Sequence, residues 1–410
     1  MGSLHLIIKR VELRSVSLAS ASEEYTYMGG ISTATGRGLN IVTVRADDQG
    51  MLAHGPGGLQ ELLADWDESK GRRPHLMYTV TIGQNPTGAV MGVERQRQIY
   101  QICVEYDIII IEDQPYWYLQ YRNGGHAAQA QSNVKSTKFP FLDSLVPSYI
   151  SQDYQGRVVR LDTFSKTIAP GCRLGWITAQ PVLIERIVRI TEASTAGPSG
   201  VVQSLIAELL IGPDAWDHGS NKHKGWDISG WVRWLEGLRG NYERRMIAMC
   251  DILEQGQQVI SHVLEPTEGD QAWNVVDKAQ AYRFRRPAAG MFVWVEMLYE
   301  THPLAKHFDL PDLATALWVF LTHKPHLVLV APGGIFAPTA EVNKKSAWRF
   351  FRMSFVADED EVIRKSSASF ASGVAAFWEV CDREEIRQLI DEAHAENMPR
   401  DVSMMPPHFC

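Results

Sequence analysis

The sequence predicts an α/β fold: a mainly parallel sheet with helices on both faces, followed by a smaller C-terminal α+β domain. Three features of the 410-residue chain favour this class. Short apolar runs alternate with amphipathic segments from about residue 40 to residue 180, one run is a stretch of isoleucine, and the pattern changes after about residue 256. Alternating strands and helices favour a parallel sheet, because the chain must cross one face of the sheet before it starts the next parallel strand.

Five apolar runs supply the predicted strands. Ile108–Ile111 shows no alternation, as expected of a strand that is buried on both faces. Apolar residues recur at helical spacing from Ile99 to Tyr106, just before that run, and predict one face of a helix. The predicted strands are Ile41–Val44, Leu76–Val80, Ile108–Ile111, Val158–Leu161 and Leu174–Thr178.

Helices are predicted after the last of these strands. Residues 181–212 are predicted as two helices separated by Ala196–Gly200. A long periodic segment from about Trp231 to Gln255 is predicted as a helix that connects two domains. Residues 122–149 are small and polar, and are predicted as a loop.

The last part of the chain predicts the smaller domain. Acidic residues from Asp358 to Glu361 begin the last predicted helix, because acids suit the positive end of a helix dipole. The predicted strands here are Phe292–Met297, Leu327–Val330 and Ala347–Val356, with a helix between the first two. The predicted division is a large domain over 1–230, a connecting helix over 231–255, a small domain over 256–396 and a disordered tail over 397–410.

The composition is typical of a globular protein that has no nucleic-acid or membrane partner. The chain is 45% hydrophobic and 21% charged, with a formal net charge of −8 and no basic run. No apolar run approaches the roughly 18 residues that span a bilayer. Five scattered cysteines without a C-x-x-C pair favour reduced thiols and a cytoplasmic location, and no metal is expected. A mitochondrial location stays open, since residues 1–22 carry three basic residues and several serines.

Three polar residues each follow a predicted parallel strand. Asn85 follows the second apolar run, Asp113 closes the third and Lys166 follows the fourth. Ligands of open α/β sheets lie outside the carboxyl ends of the strands, so an amide, a carboxylate and an amine should converge on one crevice. Taken singly, each residue has an ordinary structural interpretation: a turn at Asn85, a helix N-cap at Asp113 and a solvated Lys166.

Four segments taken together resemble one family. With the spacing between them, they resemble fold-type-I aminotransferases that depend on pyridoxal 5'-phosphate (PLP), and above all the fungal aromatic-amino-acid and aminoadipate (kynurenine-type) aminotransferases. The likeness runs from about residue 23 to residue 371. The four segments are Asn85-Pro86-Thr87-Gly88, Ile111-Glu112-Asp113-Gln114-Pro115-Tyr116, Thr163-Phe164-Ser165-Lys166 and Arg173-Leu174-Gly175-Trp176.

The resemblance implies how these residues would hold the cofactor ring. Lys166 would bind PLP covalently, and its amine, once released, would move the α-proton of the substrate. Asp113 would pair with the pyridine nitrogen and keep it protonated. Asn85 and Tyr116 would hydrogen-bond the phenolic oxygen of the ring, and Tyr27 would stack on its face. Simple packing among aromatic neighbours is the alternative for Tyr116.

The resemblance assigns the phosphate to Thr163, Ser165 and Arg173. Hydroxyl groups donate single hydrogen bonds to phosphate oxygens, and arginine offers a charged fork. A surface ion pair is the alternative for Arg173. Arg352 would bind the α-carboxylate of the substrate in a bidentate pair, with Asn85 as a second contact. Arg349 competes for that role, and the family pattern favours Arg352.

The resemblance also implies a shortened N-terminus. Family members carry a long stretch before their Glu-Glu-x-Thr-Tyr motif, which includes an arm over the substrate pocket and a turn at a helix N-terminus that receives the phosphate. Only residues 1–22 precede Glu23 here, Gly2-Ser3 stands at about the distance of that turn, and residues 10–22 lack the expected strand pattern. Because helix N-terminal amides bind phosphate well, weaker PLP binding is expected than in an intact relative.

The expected activity is transfer of the amino group of an aromatic amino acid to a 2-oxo acid. Two alternatives stay open: a PLP-dependent carbon–sulfur lyase on the same scaffold, and a truncated homologue whose catalysis is impaired. The expected partners are the amino acid and 2-oxo acid substrates and a second copy of the chain. A homodimer is expected because the active sites of the family lie at a subunit interface. Residues 194–200 match a segment of the family that lies near this interface.

Overall fold

A computed structural model describes residues 19–122, 137–211, 226–262, 276–356 and 358–395. The chain forms two compact units: the first runs to Asn241 and includes Ala288–Gly290, and the second comprises Tyr242–Pro287 and the residues from Met291 onward. Part of the predicted loop over 122–149, the predicted tail over 397–410 and the Gly2-Ser3 turn lie outside the described residues. The domain boundaries given by the sequence stay a prediction.

A six-stranded sheet forms the centre of the first unit. Its strands are β1 (Ala19–Glu23), β2 (Asn40–Val44), β5 (Leu76–Thr79), β6 (Ile109–Asp113), β7 (Val158–Thr163) and β8 (Gly175–Thr178), with the short hairpin β3 (Ala46–Asp47) and β4 (Gly50–Met51) beside it. The spatial order is β2-β1-β5-β6-β7-β8. All neighbours pair in parallel except β7 and β8, which are antiparallel.

The expectation that residues 10–22 contain no strand is wrong for β1. The segment Ala19–Glu23 pairs in parallel with β2 on one side and β5 on the other, and all five of its side chains are buried. Its sequence, Ala-Ser-Ala-Ser-Glu, lacks the β-branched and aromatic residues that mark a strand. Such small side chains suit a central strand when its neighbours and covering helices pack closely.

The other five strands of this sheet match the prediction. Each lies within two residues of its expected bounds, and β6 buries its three central residues, Ile110, Ile111 and Glu112, as the run of isoleucine predicts. The helices of the first unit are α1 (Met28–Thr35), α2 (Leu59–Ala64), α3 (Val93–Glu105), α4 (Pro140–Asp143), α5 (Pro181–Glu192) and α6 (Gly200–Leu210). The helix predicted before β6 is α3, which buries Ile99, Ile102 and Cys103. The two helices predicted over 181–212 are α5 and α6.

Helix α7 (Asp227–Gln255) contributes residues to both units, since the first unit ends at Asn241. The first unit is completed by residues 288–290, where Gly83 and Gly290 approach closely. A Cβ atom on Gly83 would lie 2.5 Å from Cα of Gly290, and both glycines have positive φ, +60° and +82°. Gly290 N also donates to Leu119 O at 3.0 Å.

The second unit contains a four-stranded antiparallel sheet of order β11-β12-β14-β13 and a separate two-stranded pair. The strands are β9 (Gln258–His262), β10 (Val276–Gln280), β11 (Tyr282–Phe284), β12 (Phe292–Met297), β13 (Ala331–Pro332) and β14 (Phe350–Ser354). The predicted strand Leu327–Val330 is wrong, because those residues pair with no strand in the described part of the chain. Their alternation instead reflects burial, with Leu327 and Leu329 more than 60% exposed and Val328 and Val330 buried.

Four helices complete the second unit: α8 (Leu310–Thr322), α9 (Ala340–Lys345), α10 (Asp360–Trp378) and α11 (Arg383–Ala395). Helix α8 packs against both α10 and α11. The predicted acidic start is confirmed, since Asp360 and Glu361 occupy the first turn of α10. The prediction that this is the last helix is wrong, because α11 follows it. No helix in the described part of the chain is long and apolar enough to cross a membrane.

Candidate active site

The carboxyl ends of β5, β6 and β7 meet at one edge of the first sheet. The parallel register pairs Thr79 of β5 with Glu112 of β6, and Asp113 of β6 with Leu161 of β7. Asp113 is the last residue of β6, and Lys166 follows β7 in a short 3-10 turn. The sequence prediction that these strand ends share an edge is therefore confirmed.

The carboxylate of Asp113 receives a hydrogen bond from a tyrosine of the neighbouring strand. The hydroxyl of Tyr78 donates to Asp113 Oδ2 at 2.8 Å, and Tyr78 is only 5% exposed. Burial raises the pKa of Asp113 to about 6, while the hydrogen bond from Tyr78 acts in the opposite direction. The carboxylate is therefore held in a site where a nearby positive charge would stabilise its ionised form.

The turn that carries Asn85 is fixed by its neighbour Gln84. The side-chain amide of Gln84 donates to the carbonyl of Tyr25 at 2.6 Å, and its oxygen accepts from the backbone N–H of Thr87 at 2.9 Å. Both Gln84 and Asn85 are buried. The close approach of Gly83 to the 288–290 segment fixes the other side of this turn, so Asn85 has little freedom to move.

A buried polar network holds the segment that follows β6. Glu112 accepts hydrogen bonds from Gln114 Nε2 at 2.6 Å, Thr81 Oγ1 at 3.2 Å and the backbone N–H of Tyr149 at 3.0 Å. A full set of donors is what a buried carboxylate requires. The network fixes the start of the turn in which Tyr116, only 4% exposed, is placed.

Two hydroxyls and a guanidinium group converge beside Lys166. Thr163 Oγ1 accepts from Ser165 N at 3.1 Å and donates to Ser165 Oγ at 2.9 Å. Arg173 Nη1 donates to Ser165 Oγ at 3.3 Å. Arg173 lies in the left-handed region, at φ +46° and ψ +33°, and is exposed at the end of a short 3-10 turn. The three polar groups form one positively charged corner.

An aromatic group, here called the tryptophan cluster, packs behind the turn of Lys166. Phe164 lies 5.0 Å from Trp176 and 6.2 Å from Trp231, measured between ring centroids. The indole Nε1 of Trp234 donates to the backbone carbonyl of Thr167 at 2.6 Å. The first turns of α7 thus contact Phe164, which precedes Lys166 in the chain, and Thr167, which follows it. The members of the cluster are Phe164, Trp176, Trp226, Trp231 and Trp234.

Tyr27 lies beyond the end of β1, directly before α1. Its ring packs on Gly29, where a Cβ atom would lie 2.5 Å from Cζ and from the hydroxyl oxygen of Tyr27. Tyr27 also interacts electrostatically with Tyr78, the partner of Asp113. The absence of a side chain at position 29 is therefore required for the position that the Tyr27 ring adopts.

Arg352 belongs to the second unit, where it lies on β14 and is 8% exposed. Its guanidinium carbon lies 4.2 Å from the ring centroid of Phe292 and 4.6 Å from that of Phe336. Arg349 forms an ion pair with Glu300. Of the two candidates for the carboxylate, Arg352 is the buried one and lies against two aromatic rings.

A family model described as aminotransferase class I and II matches residues 21–261 of the chain. The chain belongs to this family. The chain is 38% identical over 284 residues to the L-tyrosine:2-oxoglutarate aminotransferase atrD of Tapinella panuoides, covering 68% of the chain and 47% of that relative. It is 37% identical over 280 residues to an aromatic amino acid aminotransferase of Schizosaccharomyces pombe, covering 67% of the chain and 50% of the relative. The chain thus spans about half the length of these curated relatives.

Solved structures agree with the fold. The chain resembles the aminotransferase Aro8 from Candida albicans with a TM-score of 0.71 and 33% identity, covering 92% of the chain and 72% of Aro8. It resembles the aromatic aminotransferase Aro9 of the same organism with a TM-score of 0.68 and 25% identity, with the same coverage. The fold is therefore that of fold-type-I PLP enzymes, as the sequence predicts.

PLP is the cofactor of this family, and the residues of this chain fit it. The corner formed by Thr163, Ser165 and Arg173 presents two hydroxyls and a guanidinium group, which suit a phosphate dianion. Asp113 is a half-buried carboxylate whose pKa burial raises to about 6, and a cationic ring nitrogen would satisfy it. The bare Cα of Gly29 leaves room for an aromatic ring at Tyr27.

Several residues that shape this site escaped the sequence analysis. Tyr78, Gln84, Gly29 and Trp234 each contact a candidate residue or its backbone. A sequence signal existed for Tyr78: it lies in a predicted strand beside the one that ends in Asp113, so a contact across the pair was foreseeable. The contact of Trp234 carried no such signal, since 67 positions separate it from Thr167.

Proposed function

We propose that this protein transfers amino groups between amino acids and 2-oxo acids. The arrangement that supports the proposal is the placement of Lys166 in the turn that follows β7, beside a strand β6 that ends in Asp113. PLP supplies an electron sink for the electrons released when the substrate loses its α-proton. A lysine amine and a carboxylate on adjacent strand ends are the two protein groups that this chemistry needs.

Each candidate residue then has one task. Lys166 binds the cofactor covalently and carries the α-proton, and Asp113 keeps a ring nitrogen protonated. Asn85 and Tyr116 hold the phenolic oxygen of the ring, and Tyr27 stacks on its face. The phosphate is held by Thr163, Ser165 and Arg173.

Substrate selection is proposed to begin at Arg352. A guanidinium group binds a carboxylate through two parallel hydrogen bonds, and both an amino acid and a 2-oxo acid present such a carboxylate. Phe292 and Phe336 restrain the guanidinium from two directions, which lowers the entropy lost when the substrate binds. An aromatic amino acid as donor and 2-oxoglutarate as acceptor are proposed by analogy with the L-tyrosine:2-oxoglutarate aminotransferase of Tapinella panuoides.

A homodimer in the cytoplasm is the proposed state of the protein. Helices α5 and α6 each bury a single side chain within the described residues of this chain, Ile187 and Ile206. Val201 and Leu205 of α6 are 71% and 63% exposed, and they follow the 194–200 segment expected near an interface. Exposed apolar groups of this kind mark association surfaces. Sedimentation should show a dimer, and a Val201→Glu, Leu205→Glu double variant should shift it towards monomer.

The activity is tested by adding PLP to the purified chain and recording its visible spectrum, followed by an amino-donor screen with 2-oxoglutarate as acceptor. Formation of glutamate together with the 2-oxo acid of an aromatic donor is the expected result. Release of pyruvate and ammonia from a sulfur-containing amino acid would instead identify a lyase. Normal PLP binding without either product would contradict the proposed activity while leaving the cofactor site intact.

The role of Arg352 is tested by Arg352→Met, which removes the charge and retains much of the volume. The KM for every amino acid and 2-oxo acid should rise by about ten- to a hundredfold, since a charged hydrogen-bonded contact to each carboxylate is lost. PLP affinity should not change. Arg349→Met is the matched control, and an equal effect of the two variants would contradict the assignment.

A further inference from the structure

We propose that Tyr78 is a positioning residue that keeps Asp113 ionised and directs one of its oxygens towards the cofactor ring nitrogen. The effect of Tyr78 on cofactor binding rests on the proposed function. The hydrogen bond between Tyr78 and Asp113 does not, because it involves protein atoms only. The hydroxyl of Tyr78 donates to Asp113 Oδ2 at 2.8 Å. This bond occupies one carboxylate oxygen and leaves Oδ1 for a donor on the ligand.

The sheet dictates this contact. Tyr78 pairs with Ile111 in the parallel register of β5 and β6, so its side chain projects from the same face of the sheet as Asp113, two residues further along β6. Tyr78 is 5% exposed, and little water competes for its hydroxyl. Its rigid ring therefore delivers one donor to one oxygen.

The electrostatic surroundings make a donor at this position valuable. Burial raises the pKa of Asp113 and Asp162 on β7 raises it further, whereas the hydrogen bond from Tyr78 lowers it. The pKa of Tyr78 itself is raised by burial and by Asp113, with smaller effects of Glu23 and Tyr27, so Tyr78 stays a neutral donor. Without this hydroxyl, a larger fraction of Asp113 would be protonated near neutral pH.

Tyr149 offers a matched comparison within the same unit. It is also a fully buried tyrosine, but its hydroxyl donates to the sulfur of Met91 at 3.2 Å. Removal of its hydroxyl deletes a buried oxygen and leaves the contact of Tyr78 with Asp113 in place. The pair Tyr78→Phe and Tyr149→Phe therefore separates the proposed role from a general effect of losing a buried hydroxyl.

The first measurement needs no cofactor. The 410-residue chain with 13C-labelled aspartate carboxyl groups is titrated by NMR, and Asp113→Asn identifies the resonance. The pKa of Asp113 should rise in Tyr78→Phe and stay unchanged in Tyr149→Phe. An unchanged pKa in Tyr78→Phe would overturn the proposal. If that variant does not fold, the Cζ resonance of Tyr78 is followed in the unmodified protein. Its chemical shift should change with the same pKa as Asp113, and a shift that does not change with Asp113 would also overturn the proposal.

The second measurement compares PLP with the analogue in which a CH group replaces the ring nitrogen. At pH 7, Tyr78→Phe should weaken PLP about two- to tenfold, because less Asp113 is ionised to meet the nitrogen. Affinity for the analogue should not change, since it offers Asp113 no donor. Equal losses for both ligands would mean that Tyr78 is only structural. A chain that binds neither ligand contradicts the proposed function, whereas the carboxyl titration still decides the role of Tyr78.

Discussion

The indole Nε1 of Trp234 donates a 2.6 Å hydrogen bond to the backbone carbonyl of Thr167, the residue after Lys166. A helix that begins at Asp227 thereby holds the turn that presents the proposed catalytic amine. The adjacent ring of Phe164 is held by Trp231 of the same helix. The position of Lys166 thus depends on contacts that α7 makes on either side of it in the chain.

Trp234→Phe should make this turn more mobile, because the hydrogen bond to Thr167 is lost while an aromatic ring stays in the tryptophan cluster. Loss of one hydrogen bond to a carbonyl is worth about 0.5–1.5 kcal/mol, so PLP affinity should fall by about two- to tenfold, with slower covalent attachment. Stopped-flow absorbance measures both quantities. Trp318→Phe is the control, because its indole donates to the carbonyl of Val330 in the second unit. Equal effects of the two variants would count against this role of Trp234.

Lys166→Ala should abolish the visible absorbance of the bound cofactor and all turnover. The lysine is proposed as the amine that attaches the cofactor, and alanine offers no replacement. Lys70→Ala, which removes an exposed lysine of the same unit, should retain both properties. Transamination by Lys166→Ala at the parent rate would show that another amine carries the reaction.

Asp113→Asn should retain PLP binding better than it retains turnover. An amide can still hydrogen-bond the ring nitrogen and the hydroxyl of Tyr78, but it does not favour the protonated ring. Exchange of the substrate α-proton, followed by NMR in deuterium oxide, should slow by about a hundredfold or more. Exchange at nearly the parent rate would contradict an ion pair at this position.

Glu23 should make the stability of the protein depend on pH. Burial raises its pKa from the ordinary value of 4.5 to about 7, against a lowering by the hydrogen bond from Thr79. Because the folded state binds this proton more tightly than the unfolded chain, the contribution of Glu23 to stability is fully present below pH 4.5 and is lost as the pH rises through 7. Glu23→Gln, which needs no ionisation, removes this loss.

Urea unfolding at pH 5 and pH 8 measures the effect. Between these values the free energy of unfolding of Glu23→Gln should gain about 2–3 kcal/mol relative to the unchanged protein. Thr79→Val, which deletes the donor to Glu23 Oε1, should make the parent's pH dependence steeper. Parallel pH profiles for the parent and Glu23→Gln would show that Glu23 ionises normally.

The sequence predicted the sheet well because its signals are local. The isoleucine run of β6 and the helical spacing in α3 each report burial within one element. The prediction failed where burial depends on packing that the sequence pattern does not record. The small residues of β1 lie between two other strands of the sheet. Residues 327–330 alternate in burial but have no partner strand among the described residues.

The candidate site divides in the same way. The residues proposed to touch the cofactor stand in short motifs at strand ends, so the resemblance could assign them. The residues that support them do not belong to such motifs. Gly29 matters because the Tyr27 ring folds back onto it, and Phe336 because it reaches Arg352 from another part of the chain. Such relations exist only once the chain has folded.

The return of residues 288–290 to the first unit sets an order of events during protein synthesis. Tyr121 donates to the carbonyl of Gly290, 169 positions further along the chain. Domains generally fold from the N-terminus as they leave the ribosome. Here the turn that carries Asn85 lacks its neighbour until residue 290 has emerged, by which time Tyr242–Pro287 of the second unit have also been made. This edge of the first sheet therefore stays unfinished while the more than one hundred residues between Thr178 and Ala288 are added.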